Sequence, residues 1–526
     1  MPTAHRVVRN AYHDSIGLMR LSSVLAERPG VEQVSLVMAT AANLDLLRET
    51  GLFAEAVDAR ANDVLIVVRA KSRKLLEEAL EEAERTLTTS TPVANRGEGV
   101  PQPNAPRSTQ MAIDRAAGAN LALISVPGEY AAAEAMKALR LGLNVMLFSN
   151  GVTLEDEVAL KHIADAGGLI LMGPDCGTAI LHGVPLGFAN VVRRGAIGCV
   201  GASGTGLQQV TSLVDRLGQG ISHAIGTGGR DLSAAVGGTT MIAGLRMLSA
   251  DRDTKVIVLI SKPPVPEVAR KVLDVARKAA KPVVVCFIGA EAIDERKGKV
   301  YFARTLEDAA QIAVALVSGR SPTVPRTTRS RVPSIRSYGG QRYVRGLYSG
   351  GTFAYEALWL LADALGEVWS NVALRPELEL ASPWVSVGHT IVDLGDDTFT
   401  RGRPHPMIDC RLRNERISQE ARDPEVAVIL LDVVLGHSAH PDPAAELVAA
   451  IRAAQATAAK NNRCIAFVGF LCGTARDPQG FERQEAALRN AGMTLAQSNA
   501  SAVRIAAAIA KRLTSKTAGQ RKRRKA

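Results

Sequence analysis

The sequence predicts an α/β protein of doubly wound parallel sheets, preceded by a small α+β unit, and three observations support this class. Short apolar runs alternate with amphipathic helical patterns from Thr109 to Ser318. Turns of small residues follow the apolar runs, as is typical of the carboxyl ends of parallel strands. The same plan returns from Gly346 to Leu513, which indicates a second copy of one unit.

The first predicted unit covers residues 1–90 and is of the ACT-like or ferredoxin-like kind. Three strand-like runs alternate with helical patterns, and a charged helix at Lys71–Leu87 closes the unit. Thr88–Pro106 is rich in Thr, Pro, Asn and Gly, which is typical of a linker. The strand-like runs are Val7–Asn10, Val31–Ala39 and Ala56–Val68.

Residues 107–193 are predicted to form a Rossmann-like domain. Its three apolar strands end in Val-Pro-Gly, Ser-Asn-Gly and Gly-Pro-Asp turns. Because the carboxyl ends of parallel strands meet at one edge of a sheet, we expect a ligand cleft there. Asp175 and Cys176, in the third turn, are therefore candidate binding residues.

Residues 195–318 are predicted to form a flavodoxin-like unit with an anion site at its first helix. The apolar run Ala196–Val200 leads into the small-residue loop Gly201–Gly206, and an amphipathic helix follows. Unpaired N–H groups and the helix dipole make such a helix start attractive to anions. The loop is neither a Walker A sequence nor a G-x-S-x-G elbow, so a tight turn that needs small residues is the alternative. The candidate phosphate ligands are Gly201, Ser203, Gly204 and Thr205.

A second turn, Gly226–Asp231, adds Gly228 and Gly229 to this predicted site. Arg230 in the same turn carries a guanidinium group that could hold a phosphate or a carboxylate. The alternative for Arg230 is a surface salt bridge.

Residues 343–513 are predicted to form the second flavodoxin-like unit, and Gly319–Arg342 a basic linker before it. Small residues again open a helix, so two helix starts could face one shared ligand, which suits phosphate. Chance similarity between two flavodoxin-like units is the alternative. The candidate ligands here are Ser349, Gly350, Gly351 and Thr352.

Composition excludes several classes of function. Eight of the lysines and arginines behind the net charge of +11 lie in Lys511–Ala526, so residues 514–526 are predicted to form a basic tail without specific nucleic-acid binding. The six cysteines are scattered, which disfavours disulfides and a zinc cluster. The sequence shows no leader-like apolar segment and no run long enough to span a bilayer, so a cytoplasmic protein without membrane contact is expected.

The motifs of these units resemble the FdrA family of acyl-CoA-synthetase-like proteins. The runs that carry the resemblance are Gly173–Gln208, Gly226–Ser233, Gly346–Ala357 and Ala439–Ala444. Gly173-Pro174-Asp175-Cys176 and the Gly201 loop are also similar to signatures of the succinyl-CoA synthetase α subunit. The resemblance implies a CoA-binding-type domain followed by two tandem succinyl-CoA-synthetase-type ligase domains, with further protein subunits as partners.

The resemblance implies two possible enzymes. Succinyl-CoA synthetases carry phosphate on a histidine, but the matching segment Gly289–Gly298 contains none, and no ATP-grasp domain is recognised. FdrA proteins are associated with oxamate carbamoyltransferase, which converts oxalurate and phosphate to oxamate and carbamoyl phosphate in allantoin breakdown, and we expect this activity first. An acyl-CoA synthetase is the alternative, and a non-catalytic ligand-sensing scaffold is the third. The cofactor is open: none, CoA or Mg²⁺.

Histidine and acidic residues complete the candidates. His440 follows a buried-looking strand and could act as a general base or accept a phosphoryl group, with a capping histidine as the alternative. His437 and His440 lack a third ligand, so no metal site is predicted. Asp396 and Asp397 could bind Mg²⁺ or simply form an acidic turn.

Overall fold

The computed structural model describes residues 1–11, 13–49, 51–53, 57–89, 106, 108–116, 118–290, 296–322, 340–401 and 403–525. The predicted linkers Thr88–Pro106 and Gly319–Arg342 lie mostly outside these residues, as does half of Gly289–Gly298. The chain divides into two compact units. One contains Met1–Leu171 and Asp397–Asp409, and the other contains Met172–Asp396 and Cys410–Ala526.

The first unit opens with a three-stranded antiparallel sheet of order β1-β3-β2. The central strand β3 is buried because its side chains alternate between two cores. Val64, Ile66 and Val68 pack with the helices α1 and α3, whereas Leu65 and Val67 pack with Leu47 of α2. The elements are β1 (Thr3–Val8), α1 (Ser15–Ala26), β2 (Val31–Met38), α2 (Ala41–Glu49), β3 (Val64–Ala70) and α3 (Arg73–Thr89).

A small sheet of order β4-β5-β6 follows, with β4 and β5 parallel. Alanines at Ala131, Ala135 and Ala138 let the helix α5 lie close against this sheet, in a core shared with Leu160 of α6. The elements are α4 (Thr109–Arg115), β4 (Leu121–Ile124), α5 (Gly128–Arg140), β5 (Asn144–Leu147), α6 (Leu154–Ala166) and β6 (Leu171–Met172).

The second unit contains an eight-stranded sheet of order β13-β14-β12-β11-β9-β10-β7-β8. Its strands β10, β9, β11, β12 and β14 are parallel neighbours, which is the doubly wound order expected for the first flavodoxin-like copy. The elements are β7 (Thr178–Leu181), β8 (Val184–Gly187), β9 (Arg194–Gly201), α7 (Gly204–Arg216), β10 (Ile221–Gly226), α8 (Thr239–Ala250), β11 (Val256–Ser261), α9 (Pro266–Lys278), β12 (Val283–Phe287), β13 (Arg296–Lys297), β14 (Val300–Phe302) and α10 (Leu306–Val317).

A six-stranded parallel sheet of order β16-β17-β15-β18-β19-β20 repeats that plan. Its first strand, β15, lies between β17 and β18 just as β9 lies between β10 and β11, so the tandem repeat is confirmed. The elements are β15 (Tyr343–Tyr348), α11 (Gly351–Leu365), β16 (Val368–Ser370), a 3-10 turn (Pro376–Leu378), β17 (His389–Asp393), α12 (Asp397–Thr400), α13 (Arg411–Glu420), β18 (Val426–Val434), α14 (Pro443–Lys460), β19 (Ala466–Cys472), α15 (Phe481–Asn490), β20 (Thr494–Ala496) and α16 (Asn499–Lys525).

The predicted α/β class is therefore confirmed, with one local difference. The sequence analysis places no strands between Met172 and Val192, but β7 and β8 form a hairpin there and extend the eight-stranded sheet through an antiparallel pairing with β10. His182 and Gly183 form its turn with positive φ values of 49° and 83°. No helix among the described residues is long and apolar enough to cross a membrane.

Candidate functional site

A glycine-lined pocket lies at the carboxyl ends of β9 and β10 and at the start of β7. Its volume, including the solvent-filled mouth, is about 350 Å³. Three loops that the sequence analysis singled out meet here, so the predicted residues Asp175, Cys176, Gly201, Ser203, Gly204, Gly228 and Gly229 share one cavity. The full lining is Asp175, Cys176, Gly177, Thr178, Gly201, Ala202, Ser203, Gly204, Gly226, Gly228 and Gly229.

Two of these glycines are required by the narrow space at the pocket wall. A Cβ atom on Gly226 would lie 2.5 Å from the carbonyl oxygen of Thr178 and 2.6 Å from Sγ of Cys176. A Cβ atom on Gly228 would lie 2.4 Å from the carbonyl oxygen of Pro174, and Gly228 also has a positive φ of 85°. The two glycines therefore let the β10 turn pack directly against the loop before β7.

The start of α7 forms one wall of the pocket and offers N–H groups to a ligand. Ser203 is the N-cap, and its Oγ accepts a hydrogen bond from the Gly206 N–H at 2.9 Å. The N–H groups of Gly204 and Thr205 belong to the first turn, which has no intrahelical acceptors, and no acceptor for them occurs among the described residues. With the positive end of the helix dipole, this geometry fits a phosphate or another anion.

The start of α11 lies directly beside the start of α7. The hydroxyl groups of Ser203 and Thr352 are hydrogen-bonded at 2.7 Å and both are buried. A Cβ atom on Gly350 would lie 2.8 Å from Cγ2 of Thr205, so the two loops are in van der Waals contact. The structure thus brings the two predicted helix starts together within one unit.

The second helix start is already filled by a carboxylate of the protein, which corrects the expectation that Ser349 and Gly350 bind phosphate. Asp432, at 0% exposure, accepts hydrogen bonds from the Ser349 N–H at 2.9 Å, the Ser349 hydroxyl at 2.8 Å and the Gly350 N–H at 3.0 Å. Arg413 donates to the same carboxylate at 3.2 Å. Burial raises the pKa of Asp432, and Arg413 and Ser349 oppose that rise.

A second carboxylate, Asp393 at the end of β17, also lies at the start of α11. A Cβ atom on Gly351 would be 2.6 Å from its Oδ2 atom. Burial raises the pKa of Asp393 to about 6. Neither Asp432 nor Asp393 was among the predicted site residues, although Asp432 stands out as a lone acid in the apolar run Val426–Val434.

The remaining predicted residues lie around the pocket or apart from it. Cys176 is buried, and its Sγ donates to the carbonyl oxygens of Thr178 and Gly226, which suits a structural thiol. Arg230 is exposed beside Gly229 and does not line the pocket. His440 follows β18 as expected but also lies outside the pocket lining. Its Nδ1 accepts the Asp442 N–H at 3.0 Å, as in the capping alternative.

Comparison with protein families finds two CoA-related parts in this chain. A family model described as a CoA binding domain matches residues 192–289, and one described as CoA-ligase matches residues 347–509. A third, described as the AllF heavy metal-associated domain, matches residues 1–103. The CoA-binding match falls on the predicted first ligase-type domain, so the domain boundaries given above stay a prediction.

Sequence searches find one relative over nearly the whole chain and CoA ligases over part of it. The chain is 43% identical over 497 residues to an uncharacterized Escherichia coli protein, YahF, covering 93% of this chain and 95% of that one. It is 31% identical to an Archaeoglobus fulgidus succinate–CoA ligase [ADP-forming] subunit alpha, covering 34% of this chain and 62% of that subunit. A dinucleotide-forming acetyl-coenzyme A synthetase structure from Ca. Korarchaeum cryptofilum covers 74% of this chain and 82% of its own at 16% identity and a TM-score of 0.31, too low to bear on function.

The N-terminal residues do not fit a heavy metal, despite the description of the matching family. Residues 1–103 contain no cysteine, the ligand that soft metals prefer. The described residues hold no group of three or more His, Cys, Asp or Glu side chains that could bind a metal ion. After β1, the guanidinium group of Arg9 instead pairs with Asp58 at 2.9 Å and Asp63 at 3.2 Å.

Proposed function

The chain belongs to the family of the Escherichia coli protein YahF, and from this premise we propose that it is the CoA-ligase-type component of an acyl-CoA synthetase. The proposed reaction interconverts an acyl phosphate and CoA with an acyl-CoA and phosphate. Within this proposal the chain is of the FdrA type and works with further subunits. The family matches to a CoA binding domain and to a CoA-ligase support the reaction class.

One observation carries the proposal: the open helix start of α7 in a glycine-lined pocket. In the proposed complex the N–H groups of Gly204 and Thr205 hold the phosphoryl group, and Ser203 orients their turn. These donors stabilise the charge that grows on the phosphate oxygens as the acyl–oxygen bond breaks. Bound CoA supplies the thiol that accepts the acyl group. Gly226 and Gly228 keep the pocket narrow enough for a group of phosphate size.

Carbamoyl transfer, the first expectation from the sequence, is kept as the second candidate. In that reaction a phosphate oxygen attacks the carbamoyl carbon of oxalurate, the carbon–nitrogen bond breaks, and oxamate leaves with a proton on its nitrogen. The observation that favours it is the lack of histidine in Gly289–Gly298, because a phosphohistidine route requires one. The same α7 pocket would hold the phosphate.

A reconstituted complex distinguishes the two candidates. The full-length chain is purified with its co-expressed neighbouring gene products, and two assays are run side by side. One measures thioester formation from CoA, ATP and a panel of carboxylic acids. The other measures carbamoyl phosphate formation from oxalurate and phosphate. Thioester formation without carbamoyl phosphate supports the main proposal, and the reverse result replaces it with the second candidate.

Gly204→Val tests whether the pocket takes part in either activity. A Cβ atom at Gly204 would lie 3.2 Å from Oγ1 of Thr178, closer than ordinary van der Waals contact, so Thr178 must shift and a valine side chain reduces the space in the pocket. We expect the active complex to lose most of its activity, and a single cooperative melting transition of the variant shows that the loss is local. Unchanged activity would favour the third alternative, a non-catalytic scaffold.

A further inference from the structure

The start of β7 forms a polar wall of the glycine-lined pocket beside the start of α7. Thr178 is the first residue of β7, lines the pocket and is 3% exposed. Its Oγ1 atom lies next to the first turn of α7, because a Cβ atom on Gly204 would be only 3.2 Å away from it. A ligand held by the N–H groups of Gly204 and Thr205 therefore has the Thr178 hydroxyl group as a neighbour.

The Thr178 hydroxyl group presents lone pairs, and not its hydrogen, to the pocket. A hydroxyl group has one hydrogen to donate and two lone pairs that accept. Thr178 donates this hydrogen to the carbonyl oxygen of Phe188 at 2.8 Å, and the direction of the bond is fixed because a carbonyl oxygen can only accept. The Phe188 N–H donates in turn to the carbonyl oxygen of Gly177 at 2.7 Å, which holds Phe188 at the pocket wall. Toward a ligand, Oγ1 of Thr178 therefore acts as an acceptor.

Two further residues of the lining agree with this polarity. The Sγ atom of Cys176 donates its hydrogen to the carbonyl oxygens of Thr178 and Gly226, at 3.6 and 3.5 Å. Asp175 also lines the pocket, and an ionised carboxylate can only accept hydrogen bonds. The pocket thus combines N–H donors at the start of α7 with acceptors at the start of β7. Such a combination fits an anion that itself carries a hydrogen.

We propose that Thr178 makes the pocket selective for a protonated oxyanion, namely phosphate with a P–OH group, over a fully ionised oxyanion of the same shape such as sulfate. The proposal rests on the proposed function and adds to it the residue that selects the anion. The P–OH group of phosphate donates to Oγ1 of Thr178, whereas a sulfate oxygen places its lone pairs against those of Oγ1. Because Thr178 is buried, water does not relieve this repulsion, and a site built for a hydroxyl group discriminates against a ligand without one.

The proton balance of the proposed reaction supplies this form of phosphate. When the thiol of CoA attacks an acyl phosphate, a carbon–sulfur bond forms, the acyl–oxygen bond breaks, and the thiol loses its proton. An acyl phosphate dianion and a thiol therefore give a thioester and monohydrogen phosphate, so that the thiol proton ends on a phosphate oxygen. Thr178 accepts a hydrogen bond from that oxygen in the product complex and helps to position the phosphate at the start of α7.

Calorimetric titration of the full-length chain with inorganic phosphate and with sulfate at neutral pH tests this selectivity. Phosphate keeps at least one proton under these conditions, and sulfate keeps none. We expect the wild type to bind phosphate about tenfold or more tightly than sulfate. Thr178→Val removes the acceptor at nearly the same volume, so the preference for phosphate should shrink by about tenfold, whereas Thr178→Ser should keep it. Thr211→Val is the matched control, because the buried Thr211 hydroxyl also donates to a backbone carbonyl oxygen, that of Leu207 at 2.8 Å, but does not line the pocket.

Each outcome decides for or against the selectivity. A wild type that binds sulfate as tightly as phosphate would overturn the proposal, and this comparison needs no variant. A preference that Thr178→Val leaves unchanged, or that Thr178→Ser loses as well, would also overturn it. A purely structural role of Thr178 would weaken the binding of both anions equally in Thr178→Val and leave their ratio in place. A chain that binds both anions equally loses this proposal alone, whereas a chain that binds neither contradicts the proposed function.

Discussion

Asp432→Asn tests whether the carboxylate at the start of α11 is a fixed part of the fold. Among the residues that the structure describes, four donors face this carboxyl group: the Ser349 N–H, the Ser349 hydroxyl, the Gly350 N–H and a guanidinium N–H of Arg413. The geometry therefore fits the ionised form. Asp432→Asn removes the charge and turns an N–H₂ group toward these donors. An N–H₂ group cannot accept a hydrogen bond, so at least one donor loses its partner.

We expect Asp432→Asn to destabilise the protein because Arg413 stays buried without a negatively charged partner. Arg413 is 2% exposed, so its charge loses its counter-charge without gaining water. Breaking a buried pair in this way costs about 3 to 5 kcal/mol. For a unit of this size that corresponds to a fall in melting temperature of about 4 to 7 °C.

Differential scanning calorimetry of the full-length chain measures this change. Asp363→Asn, at an exposed position of α11, is the control and should melt with the wild type. The double variant Arg413→Met, Asp432→Asn removes both charges and should recover part of the loss. A melting temperature of Asp432→Asn within about 1 °C of the wild type would refute the reasoning.

Three other predictions concern separate parts of the chain. Burial raises the pKa of Glu356 to about 7, so the folded state binds its proton more tightly than the unfolded state. The resulting contribution of about 3 kcal/mol is present below about pH 4.5 and lost as the pH rises through 7. Urea unfolding at pH 5 and pH 8 should show this loss in the wild type and a smaller one in Glu356→Gln. Gly226→Ala forces a Cβ atom against Cys176, so phosphate binding by calorimetry should be lost, and unchanged affinity would contradict the packing argument. Zinc or copper(I) titration of the chain should show no stoichiometric binding that depends on residues 1–103, and a tight one-to-one complex there would prove us wrong.

The fold could be predicted from the sequence because its signals are local. The predicted strand-length run Ala196–Val200 falls within β9, whereas β15 was indicated only by the small-residue turn that follows it. The β7–β8 hairpin was missed because its runs are only four residues long, and β8 contains a proline and a glycine and is exposed or half-buried. Such short strands depend on pairing with their neighbours, β7 with β10 and β8 with β7, more than on their own pattern.

The sequence predicted those parts of the site that lie within one loop, but not the contacts between loops. The Gly201 and Gly226 loops were identified because glycine-rich strand-to-helix turns have a local signature. The closure of the second helix start was not predictable, since Asp432 lies 82 residues from Gly350 in the chain and acts through a long-range hydrogen bond.

The stoichiometry of inorganic phosphate binding to the full-length chain is the measurement that tests the central claim most directly. Calorimetric titration should give one phosphate per chain, bound at the open start of α7 and lost in Gly204→Val, because Asp432 already occupies the start of α11. Two phosphates per chain, or one that Gly204→Val leaves in place, would contradict the account.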